Sequence, residues 1–282
     1  MSRWKNELFF YMQYPFVRYA LIVSILITLC SSLLGVSLVL KRFSFIGDGL
    51  SHIAFGAMSV ATLLKLSSDS LLTIPITILA AIFLLCTGQH SKLRGDSAVA
   101  LLSVSALAIG YFTINLFSAS ANVSGDVCST LFGAVSILTL SANEAIFCMI
   151  LSLCVILFYI LFYNRIFAVT FDENFAKATG RYVPIYNLFF AVITAIIIVL
   201  AMNLVGSLLV SALIVFPPLS AMRLIYSFRG VVLFSALLAV IGTLSGMLIS
   251  ILAATPVGST IVVTDLFIFL CSCLIEKILR RG

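Results

Sequence analysis

Nine apolar runs dominate this chain, most of them long enough to cross a lipid bilayer as an α-helix, and they leave it few other ways to fold. A spanning helix needs about 20 mostly apolar residues, because the hydrocarbon layer is roughly 30 Å thick and each residue rises about 1.5 Å. The runs are Ala20–Leu40, Gly49–Leu64, Leu71–Gln89, Ser97–Phe117, Ala145–Tyr163, Pro184–Leu204, Gly206–Met222, Val231–Ala254 and Gly258–Ile275. Two are short for the task. Gly49–Leu64 is one; Gly206–Met222 is the other, and its Pro217-Pro218 pair is expected to break or kink it. A further apolar piece, Val127–Leu140, is too short to cross and is expected as a re-entrant or surface helix, since irregular backbone at depth is tolerated only against protein or a cavity.

The rest of the composition leaves no room for a soluble domain. Hydrophobic residues make up 62% of the 282 positions and charged residues 9%, against roughly 45–50% and 25% in soluble domains. The expected fold is all-α: one polytopic membrane domain over residues 1–282 with about eight or nine transmembrane helices. The first twenty residues mix polar and aromatic side chains without a small-residue cleavage site, so no cleavable signal peptide is expected. The seven cysteines lie mostly within or at the ends of apolar runs and form no Cys-x-x-Cys, which suits packing rather than a disulfide framework or zinc knuckle. The net charge of +6 is read as cytoplasmic loops facing anionic lipid, not as nucleic-acid binding.

Lysine and arginine set the expected orientation. With nine spans and the N-terminus outside, Lys41, Arg42, Lys92, Arg94, Arg165, Lys177, Arg181, Arg223, Arg229, Lys277, Arg280 and Arg281 fall inside, and Arg3, Lys5, Arg18 and Lys65 outside. The positive-inside rule favours this arrangement and opposes its reverse. Residues 1–19, with Trp4, Phe9, Phe10, Tyr11 and Tyr14, read as an interfacial segment.

Chemistry concentrates in Ile46–His52, Ile-Gly-Asp-Gly-Leu-Ser-His. Asp48 and His52 are four apart, so one helix face carries both. Ionisable groups are costly in hydrocarbon, and their presence in an apolar chain points to function. Carboxylate oxygen and imidazole nitrogen suit Zn²⁺ and also serve Mn²⁺ or Fe²⁺. Ser51 is expected to tune the pair as a hydrogen-bond donor behind it. The alternative is that Asp48 caps a helix starting at Gly49, with His52 satisfied locally. Two ligands are few for a tight site, and a two-fold homodimer would bring four together. Asp265, inside the last run, either lines the pathway or pairs with a polar partner. Glu144 is expected to be solvated, His90 to be a loop residue and Asp96 to cap a helix.

The longest polar stretch between runs is Asn164–Val183, expected as a cytoplasmic loop. Within it Asp172–Thr179 can form a short helix, with Asp172 and Glu173 at the start, Lys177 toward the end and Gly180 as the stop. The stretch is either an ordinary connection or a docking element for a cytoplasmic partner; its length favours docking. No Gly-x-Ser-Gly element, no Gly-x-Gly-Asp and no phosphate-cradling Gly-rich loop occurs. Intramembrane proteolysis and ATP hydrolysis by this chain are therefore not expected.

Four blocks, in order, resemble the permease family of bacterial ABC importers for zinc, manganese and iron. They are LLGVSLVLKRFSFIGDGLSHIAFGAM, FDENFAKATG, LVGSLLVSALIVFPPLSAMRL and ATPVGSTIVV. The chain departs from the family pattern at Asn174, at Pro218 and in DSAVALLSV, which lacks the glycine usual after the aspartate; none of these removes a candidate ligand. The resemblance implies a fold related to the cobalamin-type ABC importer permeases. It implies a bacterial cytoplasmic-membrane protein, not itself an enzyme, working as a homodimer or with a paralogue. Its partners would be cytoplasmic ABC ATPase subunits and an extracytoplasmic metal-binding protein. Asp48 and His52 would be the metal pathway, and Asp172, Glu173, Ala176, Lys177 and Gly180 the ATPase coupling segment. Arg18 would meet acidic residues of the binding protein. No resident cofactor is implied: Zn²⁺ first, Mn²⁺ next and Fe²⁺ third would be cargo. A gradient-driven secondary metal transporter is the alternative, and it would need no ATPase dock. A membrane scaffold or sensor would not need Asp48 and His52.

Overall fold

A computed structural model describes Tyr11 and residues 13–64, 70–87, 95–117, 142–180, 182–207 and 210–279. The regular elements among the described residues are all helical: α1 (Pro15–Leu40), α2 (Ile46–Leu63), α3 (Ser70–Ile82, running on as a π turn over Phe83–Thr87), α4 (Gly95–Phe117), α5 (Ala142–Phe171), α6 (Glu173–Ala178), α7 (Val183–Val205), α8 (Val210–Leu224), α9 (Phe228–Ala253) and α10 (Val257–Leu279). Among the described residues, each of the nine apolar runs lies largely in a helix. Six helices (α1, α4, α5, α7, α9 and α10) are long and apolar enough to cross a membrane. Helices α3 and α8 are apolar but shorter, and α2, which carries Asp48 and His52, is not among the six. The expected Val127–Leu140 segment and His90 lie outside the described residues, as do most of residues 1–19; Pro15–Tyr19 belong to α1.

Helix α1 forms the centre of the bundle. Ala20, Val23, Ile27, Cys30, Leu34, Val36 and Leu38 are all buried along it. It meets α5 where the Cys30 thiol donates to the Ser152 carbonyl at 3.3 Å. It meets α9 where Thr243 donates to the Thr28 hydroxyl at 2.9 Å, while Thr28 donates back to the Ser24 carbonyl at 2.7 Å. Hydroxyls that bond across or along helices satisfy themselves without water, as an apolar bundle requires.

Two expectations are corrected here. Pro217 and Pro218, expected to break or kink their helix, do not break it: both lie inside α8, which runs on to Leu224. Proline has no N–H, so the carbonyls of Leu213 and Ile214 lose their usual partners one turn on. The Ile214 carbonyl then sits against Gly35 of α1, so close that a Cβ on Gly35 would overlap it. Packing of α1 onto α8 thus takes over where the helical ladder is interrupted. The second correction concerns the supposed loop 164–183. Asn164–Phe171 are helical and extend α5 to 30 residues, because Ile166 and Val169 continue its buried stripe. The true connection from α5 to α7 is Asp172–Tyr182, built around α6.

Several basic residues gather at one end of the bundle. Lys41 at the end of α1 pairs with Glu173 at 3.1 Å. Phe228 at the start of α9 rests on Phe167 and Phe171 at the end of α5. Arg223 at the end of α8 meets Glu276 near the end of α10 at 3.3 Å. Arg18, near the start of α1, lies at the other end.

Replacing Gly35 with valine should force α1 and α8 apart. Overpacking of this kind costs about 1–3 kcal/mol or more, and the thermal midpoint of the detergent-solubilised Gly35→Val protein should fall accordingly.

Candidate functional site

The turn after α1 delivers Asp48 and His52. Helix α2 starts at Ile46 with Phe45 as its N-cap, so Asp48 lies in the first turn. A carboxylate is favoured there by the partial positive charge of the helix start. The alternative of a helix beginning at Gly49 and capped by Asp48 does not hold. His52 Nε2 lies 3.4 Å from Asp48 Oδ1. Ser51 is corrected too: its hydroxyl donates to the Asp48 backbone carbonyl at 2.9 Å, as helix serines commonly do, and does not bond the carboxylate or the imidazole. The residue that does touch the carboxylate is Ser211 of α8, whose hydroxyl donates to Asp48 Oδ1 at 3.3 Å. Ser211 is the lone polar residue in LLVSALIVF, a signal available in the sequence.

The place of Asp48 follows from register along α8. Ser211 touches Asp48, Phe216 stacks near Phe269 at 6.0 Å, and Arg223 pairs with Glu276. Ser211 and Arg223 are separated by about 18 Å of helix at 1.5 Å per residue. Measured along α8, the Asp48 carboxylate therefore lies about three turns of helix from the Arg223–Glu276 pair, although Lys41 is close in sequence.

The two groups face different surroundings. The His52 side chain is 8% exposed and that of Asp48 43% exposed. His52 Nδ1 is buried without a partner, so neither ring nitrogen is held by a strong hydrogen bond. A tetrahedral ion with bonds near 2.1 Å holds two ligand atoms roughly 3.4 Å apart, which is the separation of Asp48 Oδ1 and His52 Nε2. The pair can therefore hold one cation from one side. Among the described residues, no third His, Cys, Asp or Glu joins the pair in a group that could hold a metal ion.

The short helix α6 forms where the sequence predicts. Asp172 is its N-cap, accepting from the backbone N–H of Asn174 at 3.0 Å and of Phe175 at 2.9 Å. Glu173 occupies the first turn and Lys177 the last. Ala176 is fully buried, packed with Val169 of α5 and Val183 of α7. Gly180 stops the helix at φ +78°, a left-handed conformation natural to glycine. Phe175 is left 63% exposed. Lys41 Nζ also donates to Asn187 Oδ1 of α7 at 3.0 Å, and Asn187 Nδ2 to Glu173 Oε1 at 3.2 Å.

Asp265 is not brought together with Asp48 and His52. It is 2% exposed in the contact between α10 and α9. One carboxylate oxygen fills the space over Gly242 where no Cβ would fit, and Oδ2 has no partner. Arg18 is exposed on the first turns of α1, and Glu144 is exposed at the start of α5. The side chain of Asp96 lies outside the described residues.

Comparison with known proteins adds identity to this geometry. The chain is 24% identical over 253 residues to the high-affinity zinc uptake system membrane protein ZnuB of Haemophilus influenzae, covering 90% of this chain and 95% of that protein. It is 27% identical over 270 residues to the manganese import system permease protein ScaB of Streptococcus parasanguinis, covering 96% and 94%. The solved structure of PsaBC from Streptococcus pneumoniae in complex with Fab superposes with a TM-score of 0.82 at 26% identity, over 96% of this chain and 94% of that one. With its six membrane-length helices, the chain is a multi-pass protein of the cytoplasmic membrane. The ABC 3 transport family matches residues 13–276, and the chain belongs to that family.

Proposed function

We propose that this chain is the membrane permease of an ATP-driven importer for a divalent transition metal, zinc or manganese, with Fe²⁺ a third possibility. The observation that carries this reading is the Asp48–His52 pair: two metal-type ligands at cation-bridging distance, with Asp48 open on the chain's own surface. A carboxylate so placed is costly against lipid. It is tolerable against water in a pathway or against a second protein. A second copy related by a two-fold axis would present its own Asp48 and His52 there, completing four ligands for one ion. A pair of ligands from each side can also part, which suits passage better than storage. The names of relatives, one a zinc uptake protein and one a manganese import permease, support the cargo class without choosing the metal. Fe²⁺ accepts the same ligands.

In this reading the shorter helices α2, α3 and α8 complete a set of eight or nine crossings, in the manner of the cobalamin-type permeases. ATP is hydrolysed by separate cytoplasmic subunits that receive α6, with Asp172, Glu173, Lys177 and Gly180 shaping the helix, Ala176 anchoring it and exposed Phe175 entering the ATPase. An extracytoplasmic binding protein delivers the metal, and Arg18 at the far end of α1 is suited to meet its acidic residues. Family membership weighs against the gradient-driven alternative, which has no use for a capped docking helix.

The direct test is reconstitution with the ATPase and binding protein in proteoliposomes. Asp48→Asn and His52→Ala should each lower metal uptake at least about tenfold, since even residues behind the ligands of a metal site matter by that much. Uptake at the parent rate in both variants would sink the metal-pathway assignment. Loss of the α6 cap in Asp172→Ala should cost about 1 kcal/mol of helix stability. Co-purification with the ATPase subunit should weaken as a result, with Asp48 and His52 intact.

A further inference from the structure

The end of α1, the coupling helix α6 and the early turns of α7 are tied together by a ring of three side chains. Lys41 Nζ donates to Glu173 Oε1 at 3.1 Å and to Asn187 Oδ1 at 3.0 Å, and Asn187 Nδ2 donates to the same Glu173 oxygen at 3.2 Å. The ring joins the end of α1, the first residue of α6 and the early turns of α7. The Lys41 and Glu173 side chains are only 11% and 22% exposed, so solvent and salt screen them less than surface ions. Hydrogen bonds with a charged partner are also shorter and stronger than neutral ones.

Immediately after Lys41 the chain is stiff. Helix α1 ends in a paired turn in which Phe43 N–H bonds the Leu38 carbonyl at 2.9 Å and Arg42 N–H the Val39 carbonyl at 3.0 Å. This double closure places Arg42 at φ +63°, a left-handed position usually taken by glycine. Arginine there is strained and persists because its neighbours hold it. Ile46 N–H then bonds the Phe43 carbonyl at 3.1 Å and α2 begins. Lys41 and Asp48 are thus linked by a hydrogen-bonded turn and the first helical residues, with no slack loop between them.

We propose that the Lys41–Glu173–Asn187 ring transmits displacement of α6 to Asp48 and His52, with Lys41 and Asn187 acting as positioning residues for transport. The inference rests on α6 being the ATPase dock. When α6 shifts, the ring draws the strained turn with it, and the turn moves the start of α2. With the ring opened, α6 can move while Asp48 stays still, so ATP is consumed without cargo.

The test uses the full reconstituted complex and reads metal transported per ATP hydrolysed, a ratio that a merely destabilised protein need not change. Lys41→Met and Asn187→Leu should keep ATP hydrolysis while the ratio falls about tenfold, within the usual range of coupling between sites. Lys41→Glu should lower it further, and adding Glu173→Lys to that variant should restore much of it. A parental ratio in both single variants, or a double variant no better than Lys41→Glu alone, overturns the proposal. Hydrogen exchange of the purified chain gives a second reading independent of the ATPase: amides of Ile46–His52 should exchange faster in Asn187→Leu, at an unchanged thermal midpoint. If the parent complex itself couples no ATP to uptake, the importer reading fails, and the ring is then judged on hydrogen exchange, where unchanged protection of Ile46–His52 refutes it.

Discussion

The rest of the structure depends on keeping a carboxylate and an imidazole side by side within an apolar bundle. Such groups are stabilised only by partners, water or a bound cation. The local architecture around Asp48 and His52 answers that demand in part. The start of α2 lends its dipole to Asp48, Ser211 of α8 supplies one hydrogen bond, and His52 stands within 3.4 Å. What remains unanswered is informative: His52 Nδ1 has no partner and Asp48 is open on one side. A site fully satisfied within one chain would have no reason to bind and release an ion.

Helix α8 is the element that makes this placement possible. Its two prolines release carbonyls that packing must absorb, and Gly35 of α1 lets the Ile214 carbonyl come close. The same helix carries Ser211 to Asp48 and Arg223 to Glu276, so it spans from the site to the charged end. Around it, α1 is held by hydroxyl and thiol hydrogen bonds to α5 and α9. At the charged end the Lys41–Glu173–Asn187 ring joins the end of α1 and the early turns of α7 to α6. Asp48, the central helix α1 and the short helix α6 therefore share one connected framework.

Much of this was legible in the sequence, for physical reasons. Apolar runs in a chain with so few polar residues must be helices, and the described part of each of the nine lies largely in one. Asp172, Lys177 and Gly180 obey helix-end electrostatics and glycine's freedom at positive φ, so α6 could be read to within a residue or two. Asp48 and His52 share a face because of their four-residue spacing alone. The misreadings came where tertiary packing overrides local rules. Pro217 and Pro218 stay helical with the Ile214 carbonyl packed against Gly35 of a neighbouring helix, and no local rule contains that neighbour. Asn164 and Arg165 read as loop by polarity, yet Ile166 and Val169 keep α5 packed past them. Ser51 was a plausible donor by proximity, but its hydroxyl is claimed by its own helix. Ser211 was overlooked although it interrupts an apolar run, because a contact between residues 48 and 211 is a property of the fold.

The central claim is that one metal ion is shared between the Asp48–His52 pairs of two copies. X-ray absorption spectroscopy on the purified protein loaded with Zn²⁺, together with the metal-to-chain ratio, tests it most directly. The account predicts one ion per two chains, in a first shell of nitrogen and oxygen that includes two imidazoles. Sulfur in that shell, or one ion per chain with a single imidazole, would contradict it.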